Sequence, residues 1–133
     1  MSEPIPSTKQ ERDWRMYVDD MISFAEKVLA YTEGLERSEL EASGLTFDAT
    51  VRNLELIGEA ATHIPTFVRE FAPHIPWREI ISMRNRLIHG YLGIDNDTLW
   101  SVIREDIPPL LDDLLALKKL ADENQCGVSI YLR

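Results

Sequence analysis

Apolar residues in this chain return every third or fourth position and nowhere alternate over a useful length, a pattern that commits it to helices. Trp14, Tyr17, Met21, Ala25 and Val28 step in this way and predict an amphipathic helix over roughly 11–33, with Gly34 as its stop. The polar stretch 35–45, which passes through Gly44, reads as a connection. Thr46 or Asp48 is placed to cap a second helix with Phe47, Val51, Leu54, Ile57 and Ala61 facing inward. Pro65 and Pro73 bracket a short helix that holds Phe67, Val68 and Phe71. Pro76 falls in the first turn of the next one, where a missing N–H is tolerated. Asp97 is a good N-cap for a helix starting at Thr98, which Pro108-Pro109 should kink or split. Leu110, Leu111, Leu114, Leu117 and Leu120 continue that helix's apolar stripe. The predicted fold is all-α, an up-down helical bundle over 11–122. Residues 1–10 would be a disordered arm, and 123–133 a tail that is disordered or a short strand.

Length and composition narrow the classes. A chain of 133 residues, 44% apolar, has material for one domain with one modest core. The single cysteine, Cys126, rules out a disulfide framework within a monomer and fits a reducing cytosol. No apolar run is long enough for a membrane span, and the N-terminus lacks the pattern of a secretory signal. These features predict a cytoplasmic protein with no membrane partner. A net charge of −9 argues against a general nucleic-acid binder, DNA included. Between Arg78 and Gly90, however, three arginines stand against one acid, Glu79. A local basic site on an acidic body would bind RNA weakly, and less as salt rises. The acidic remainder would suit a basic protein partner.

The segment Met83-Arg84-Asn85-Arg86-Leu87-Ile88-His89-Gly90-Tyr91 concentrates the candidate chemistry. Counted at about 100° per residue from Ile80, a continuous helix would put Ile80, Ile81, Met83, Leu87 and Ile88 on one apolar sector with Arg84 near its middle. A guanidinium there needs an internal partner, with Glu59 the obvious acid, or a cleft or second subunit that supplies one. His89 would lie about 140° away from Arg84, although Gly90, the usual residue past a helix end, frees that last turn to deviate.

The spacing Arg84-x4-His89-x-Tyr91 resembles the R-x4-H-x-Y signature of HepT-like toxins of the HEPN (higher eukaryotes and prokaryotes nucleotide-binding) superfamily of small helical ribonucleases. Leu54-Glu55-Leu56-Ile57-Gly58-Glu59-Ala60-Ala61 resembles that family's "IGEA" helix. Pro73-His74-Ile75-Pro76-Trp77 is similar to its P-x-x-P-W lead into the motif helix, and Asp97 to Trp100 to its following helix start. Together these matches cover roughly residues 14–121.

The resemblance implies a homodimeric, metal-independent endoribonuclease, the toxin of a type VII-like toxin–antitoxin system acting on transfer or messenger RNA. In that reading His89 moves the proton, since an unperturbed imidazole titrates near neutrality. Arg84 stabilises phosphorane charge through its planar fork. Asn85, four residues before His89, would share its helix face, Glu59 would be buried to hold Arg84, and Arg86 would be solvated or touch a phosphate. One motif supplies one histidine, so a two-fold dimer would supply both acid and base. The resemblance also implies that an MntA-like nucleotidyltransferase antitoxin attaches AMP to the Tyr91 hydroxyl, placing anionic phosphate beside Arg84.

Other readings stand beside these. Arg84 suits an ordinary ion pair, His89 a helix C-terminus, and Tyr91 a ring packed at the helix end. Trp77 and Trp100 read as core or interface anchors rather than base-stacking platforms. The chain would then be a non-catalytic subunit docked on a nucleotidyltransferase, or a plain dimerisation module. His63, His74 and His89 lack metal-ligand spacing, and no glycine-rich phosphate loop, nucleotide fingerprint or Ser-His or Cys-His nucleophile is evident. No cofactor is expected.

Overall fold

Asp13 opens the first helix: its carboxylate accepts the Arg15 N–H at 3.0 Å and pairs with the same residue's guanidinium. The structure, a computed structural model, describes residues 13–123, so the arm at 1–10 and the tail from Gln125, including Cys126, lie outside the described residues. Helix α1 (Trp14–Thr32) buries Met21, Ala25 and Val28 as predicted; Trp14 and Tyr17 are partly buried, and Val18 and Ile22 complete the inward face.

The stretch after Gly34 is not simply a connection. It holds helix α2 (Arg37–Ala42), closed by a reciprocal capping box in which the Glu36 N–H donates to the Glu39 carboxylate at 2.8 Å. Leu40 is its one buried side chain, so the segment carries no apolar period to read. Helix α3 (Gly44–Ala61) begins earlier than its polar residues suggest, with Ser43 at the N-cap rather than Thr46 or Asp48. Its inward face is the expected one: Val51, Leu54, Ile57 and Ala61 are buried, with Phe47 partly so. Helix α4 (Thr66–Phe71) follows Pro65.

The largest departure concerns the motif helix, which is two short helices. Helix α5 (Trp77–Ile81) follows Pro76, and the Trp77 indole N–H donates to the Ala72 carbonyl at 3.0 Å, an anchoring role. Ser82 (φ −85°, ψ 11°) breaks the run before helix α6 (Met83–Leu87). Gly58 explains how that broken backbone docks on α3. A Cβ at position 58 would sit 2.7 Å from the Ile80 carbonyl oxygen and 3.2 Å from the Met83 Cβ. Only glycine admits this approach, because the obstruction is backbone rather than a side-chain tip. Gly58→Ala is therefore expected to destabilise the protein by about 1–3 kcal/mol, measurable by urea unfolding.

Asp95, not Asp97, caps helix α7 (Asn96–Ser101), its carboxylate accepting the Thr98 N–H at 3.2 Å. Asp97 instead pairs with Arg37 of α2. The helix then widens into a π-helical turn (Val102–Asp106), where the Ile107 N–H reaches back five residues to the Val102 carbonyl, and continues as α8 (Ile107–Glu123). The prolines thus act on the turn before them: lacking an N–H, and with rings that crowd preceding carbonyls, they favour a wider hydrogen-bond register there. The π turn also carries Arg104. Its guanidinium lies 4.4 Å from the Trp100 ring centroid and donates to the Leu35 carbonyl at the end of α1.

Helix α1 lies between α3 and α8, while α3 also receives α5 and α6. The bundle is all-α over the described residues, and among them no helix is long and apolar enough to cross a membrane.

Candidate functional site

Helix α6 is only five residues long, and it is anchored by Met83 and Leu87, both buried. That i, i+4 pair takes the inward side, so Arg84 and Asn85 turn to solvent, and the Arg84 side chain is 77% exposed. The apolar sector expected around Arg84 therefore does not exist. The count assumed one axis from Ile80 to Ile88, whereas Ser82 separates Ile80 and Ile81 from α6, and Ile88 is already extended (φ −111°, ψ 122°).

Glu59 does not hold Arg84 from a buried position. It is exposed, and the carboxylate beside the Arg84 Nε is that of Glu55, at 4.0 Å. Arg84, Glu55, Glu59 and Arg52 border a shallow depression of about 180 Å³ whose floor includes Gly58. A pair this long, with its guanidinium in solvent, is weak, and Glu55 also has Arg52 at 3.9 Å, so a phosphate could take the Arg84 guanidinium at little cost. Arg86 is not a free surface cation, since it pairs with Asp106 of the π turn at 3.2 Å.

His89 lies beyond α6, in a tight loop rather than on the helix end. Ile88 and Ile94 form an antiparallel bridge, the His89 N–H donates to the Gly93 carbonyl at 2.9 Å, and the Asp95 N–H donates to the Leu87 carbonyl at 2.7 Å. A single 3-10 turn (Gly90–Leu92) caps the loop, with Gly90 and Gly93 at φ 53° and 83°. Those left-handed angles favour glycine at both positions. Asn85 consequently has no shared helix face with His89. Tyr91, at the tip, is 97% exposed, so its ring does not pack at the helix end.

The carboxylate facing His89 belongs to Asp95, which sequence reasoning left out: His89 Nε2 and Asp95 Oδ2 are 3.5 Å apart. The Asp-x-x-Thr spacing from Asp95 to Thr98 is a cap signal that could have identified Asp95's place. The Thr98 hydroxyl, and then its N–H, hold the Asp95 carboxyl below its ordinary pKa. Burial opposes them, and the charge of His89 and the Asp97 N–H add to the lowering. A carboxylate whose pKa is lower in the folded state stabilises the fold above the unfolded value of about 3.9, and that contribution is lost as pH falls through the folded value. Asp95→Asn keeps a capping side chain without the charge. Its melting temperature is expected to lie below wild type at neutral pH and to converge with it in acid, as thermal melts across pH would show.

Arg84 thus answers to an acid on α3 and His89 to the acid that caps α7. Arg84, His89 and Tyr91 all present side chains to solvent, and the described contacts within one chain do not join the first two.

A helical bundle that offers an arginine, a histidine and a tyrosine at this spacing from a helix and the loop after it is a HEPN-like domain of the HepT type. Comparison with known proteins is specific: the family described as "Ribonuclease HepT-like" matches residues 21–117. The chain belongs to the HepT-like ribonuclease family. It is 36% identical over 100 residues to "Putative RNase MJ1380" of Methanocaldococcus jannaschii, covering 75% of this chain and 92% of that one. It is 36% identical over 109 residues to "Probable ribonuclease HepT" of Thermococcus cleftensis, covering 82% and 99%. In a longer M. jannaschii protein, "Gamma-glutamylcyclotransferase and putative RNase MJ0434", a 33% identical match covers 86% of this chain but only 51% of that protein. No solved structure matches the chain significantly.

Proposed function

We propose that the chain is the toxin of a toxin–antitoxin pair, a metal-independent endoribonuclease of the cytosol that cleaves transfer or messenger RNA as a homodimer. The observation that carries this reading is that Arg84, His89 and Tyr91 all face solvent while their neighbours Met83 and Leu87 are buried. Residues kept only for packing or internal pairing would not be turned outward together.

In the proposed reaction the ribose 2′-oxygen attacks the adjacent phosphorus as one imidazole takes its proton. The P–O5′ bond breaks, and a second imidazole, protonated, gives its proton to the departing oxygen. The products are a 2′,3′-cyclic phosphate and a 5′-hydroxyl. His89 of one chain and the same residue of a second copy supply base and acid. The Arg84 fork neutralises charge gathering on the non-bridging oxygens, where fixed cationic donors are most effective. Asn85, exposed next to Arg84, is placed to contact the same phosphate. The acidic body leaves substrate affinity to this local patch, so binding weakens as salt rises.

Control falls to Tyr91. An MntA-like nucleotidyltransferase reaches its exposed hydroxyl and adds AMP, and the added phosphate competes for Arg84. The reading is tested by incubating unmodified protein with total transfer and messenger RNA in EDTA. Cleavage, with the size of the native protein reporting two chains, is the expected result. RNA left intact by protein whose mass carries no AMP would overturn it.

A further inference from the structure

Two backbone segments hold His89 and Asp95 opposite each other. Ile88 bridges to Ile94, the residue after each is the histidine and the aspartate, and the backbone N–H of each is hydrogen-bonded across the loop, to Gly93 and to Leu87. The aspartate side chain is fixed in turn: the Thr98 hydroxyl donates to Oδ2 at 2.7 Å, and the Thr98 N–H to Oδ1 at 3.2 Å. Its Oδ2 also faces His89 Nε2 at 3.5 Å, a separation that a small rotation of the half-exposed imidazole closes. Hydrogen bonds of this kind are commonly long before substrate binds.

We infer that Asp95 is a positioning residue for His89: it holds Nε2–H, and so leaves Nδ1 as the ring nitrogen that exchanges a proton with RNA. The physical logic is general. A neutral imidazole carries one proton, and the acceptor on one nitrogen decides which nitrogen is the base. The carboxylate also fixes the ring plane and favours the imidazolium that forms when the 2′-hydroxyl is deprotonated. Thr98 anchors the carboxylate, so the N-cap of α7 doubles as the back of the site. The N–H bond to Oδ1 alone would cap the helix; the hydroxyl bond to Oδ2 fixes the second oxygen as well, and that is the oxygen facing the ring.

The inference rests on the ribonuclease reading for its kinetic consequence but not for the pairing itself. The test compares wild type with Asp95→Ser and Asp95→Asn. Serine still caps α7 but is too short to reach the ring, while asparagine caps and keeps an uncharged acceptor. Each is assayed where it is folded, for kcat and KM on transfer RNA and for the nitrogen-15 shifts of the His89 ring. Expected is a fall in kcat on the order of tenfold or more for Asp95→Ser, a smaller fall for Asp95→Asn, and KM nearly unchanged in both. The wild-type ring should carry its neutral-state proton on Nε2, and Asp95→Ser should shift the population toward Nδ1–H. Asp95→Ser with wild-type kcat, or with unaltered ring shifts, overturns the inference while wild-type cleavage leaves the ribonuclease reading intact. Wild-type protein that cuts no RNA sinks the ribonuclease reading instead, and the ring shifts alone then decide the pairing.

Discussion

Replacing His89 with alanine is expected to lower the rate of RNA cleavage by roughly 10²- to 10⁴-fold, the usual worth of a positioned proton-transfer group, with little change in stability. The two halves of that expectation come from the same geometry. The imidazole is half exposed and packs no core, so its removal leaves no cavity, and surface changes of this kind stay within about 0.5 kcal/mol. Arg84→Ala should behave in parallel. Loss of one donor to the developing phosphorane charge costs on the order of 10²- to 10³-fold, while the side chain is 77% exposed and its pair with Glu55 is loose. Arg84→Lys keeps the charge but not the planar fork and should recover only part of the rate. Single-turnover cleavage beside thermal melts checks both halves. Variants that cleave like wild type would remove these residues from the mechanism, whereas variants that unfold would return them to a structural role. The second outcome would be hard to square with their exposure.

Modification of Tyr91 should silence the enzyme as completely as loss of His89. The hydroxyl stands at the tip of a loop closed by the Ile88–Ile94 bridge, two residues from His89, with no fold rearrangement needed to reach it. In the proposed mechanism an attached AMP carries a phosphodiester anion that competes with RNA for Arg84. Incubation with ATP and an MntA-like nucleotidyltransferase, the proposed partner, is expected to add the mass of AMP and to abolish cleavage. Tyr91→Phe should gain no mass and should cut RNA equally well with and without that enzyme. Addition of AMP to Tyr91→Phe would place the acceptor elsewhere; addition to wild type with undiminished cleavage would separate modification from control.

The legible parts of the fold were those written locally. Trp14 to Val28 and Val51 to Ala61 announced α1 and the inward face of α3 because a period of 3.6 shows in a single sequence. Helix α2 escaped because one buried leucine makes no period, although the Glu36–Glu39 box was there to be read. The cap of α7 was misplaced by two residues because Asp95 and Asp97 have the same chemistry, and only one of them aims at Thr98. The resemblance located Arg84, His89 and Tyr91 by spacing. Glu55 lies within the matched "IGEA" segment, but nothing there distinguishes it from Glu59 as the acid beside Arg84, and Asp95 falls between the matched motifs.

By itself, then, the amino-acid sequence determined the helical class, the inward face of α3 and most of those of α1 and α8 (where Leu111 is only partly buried and Leu120 exposed), and the family motif, all properties of residues a few positions apart. The tertiary structure alone decided which way the motif faces. Gly58 admits the Ile80 carbonyl and the Met83 side chain, residues more than twenty positions away, and Met83 and Leu87 take the inward side of α6. Contact between such distant residues depends on how whole helices dock. The helical count from Ile80 assumed an unbroken axis; the docked chain breaks at Ser82, and Arg84 consequently points to solvent instead of into an apolar sector.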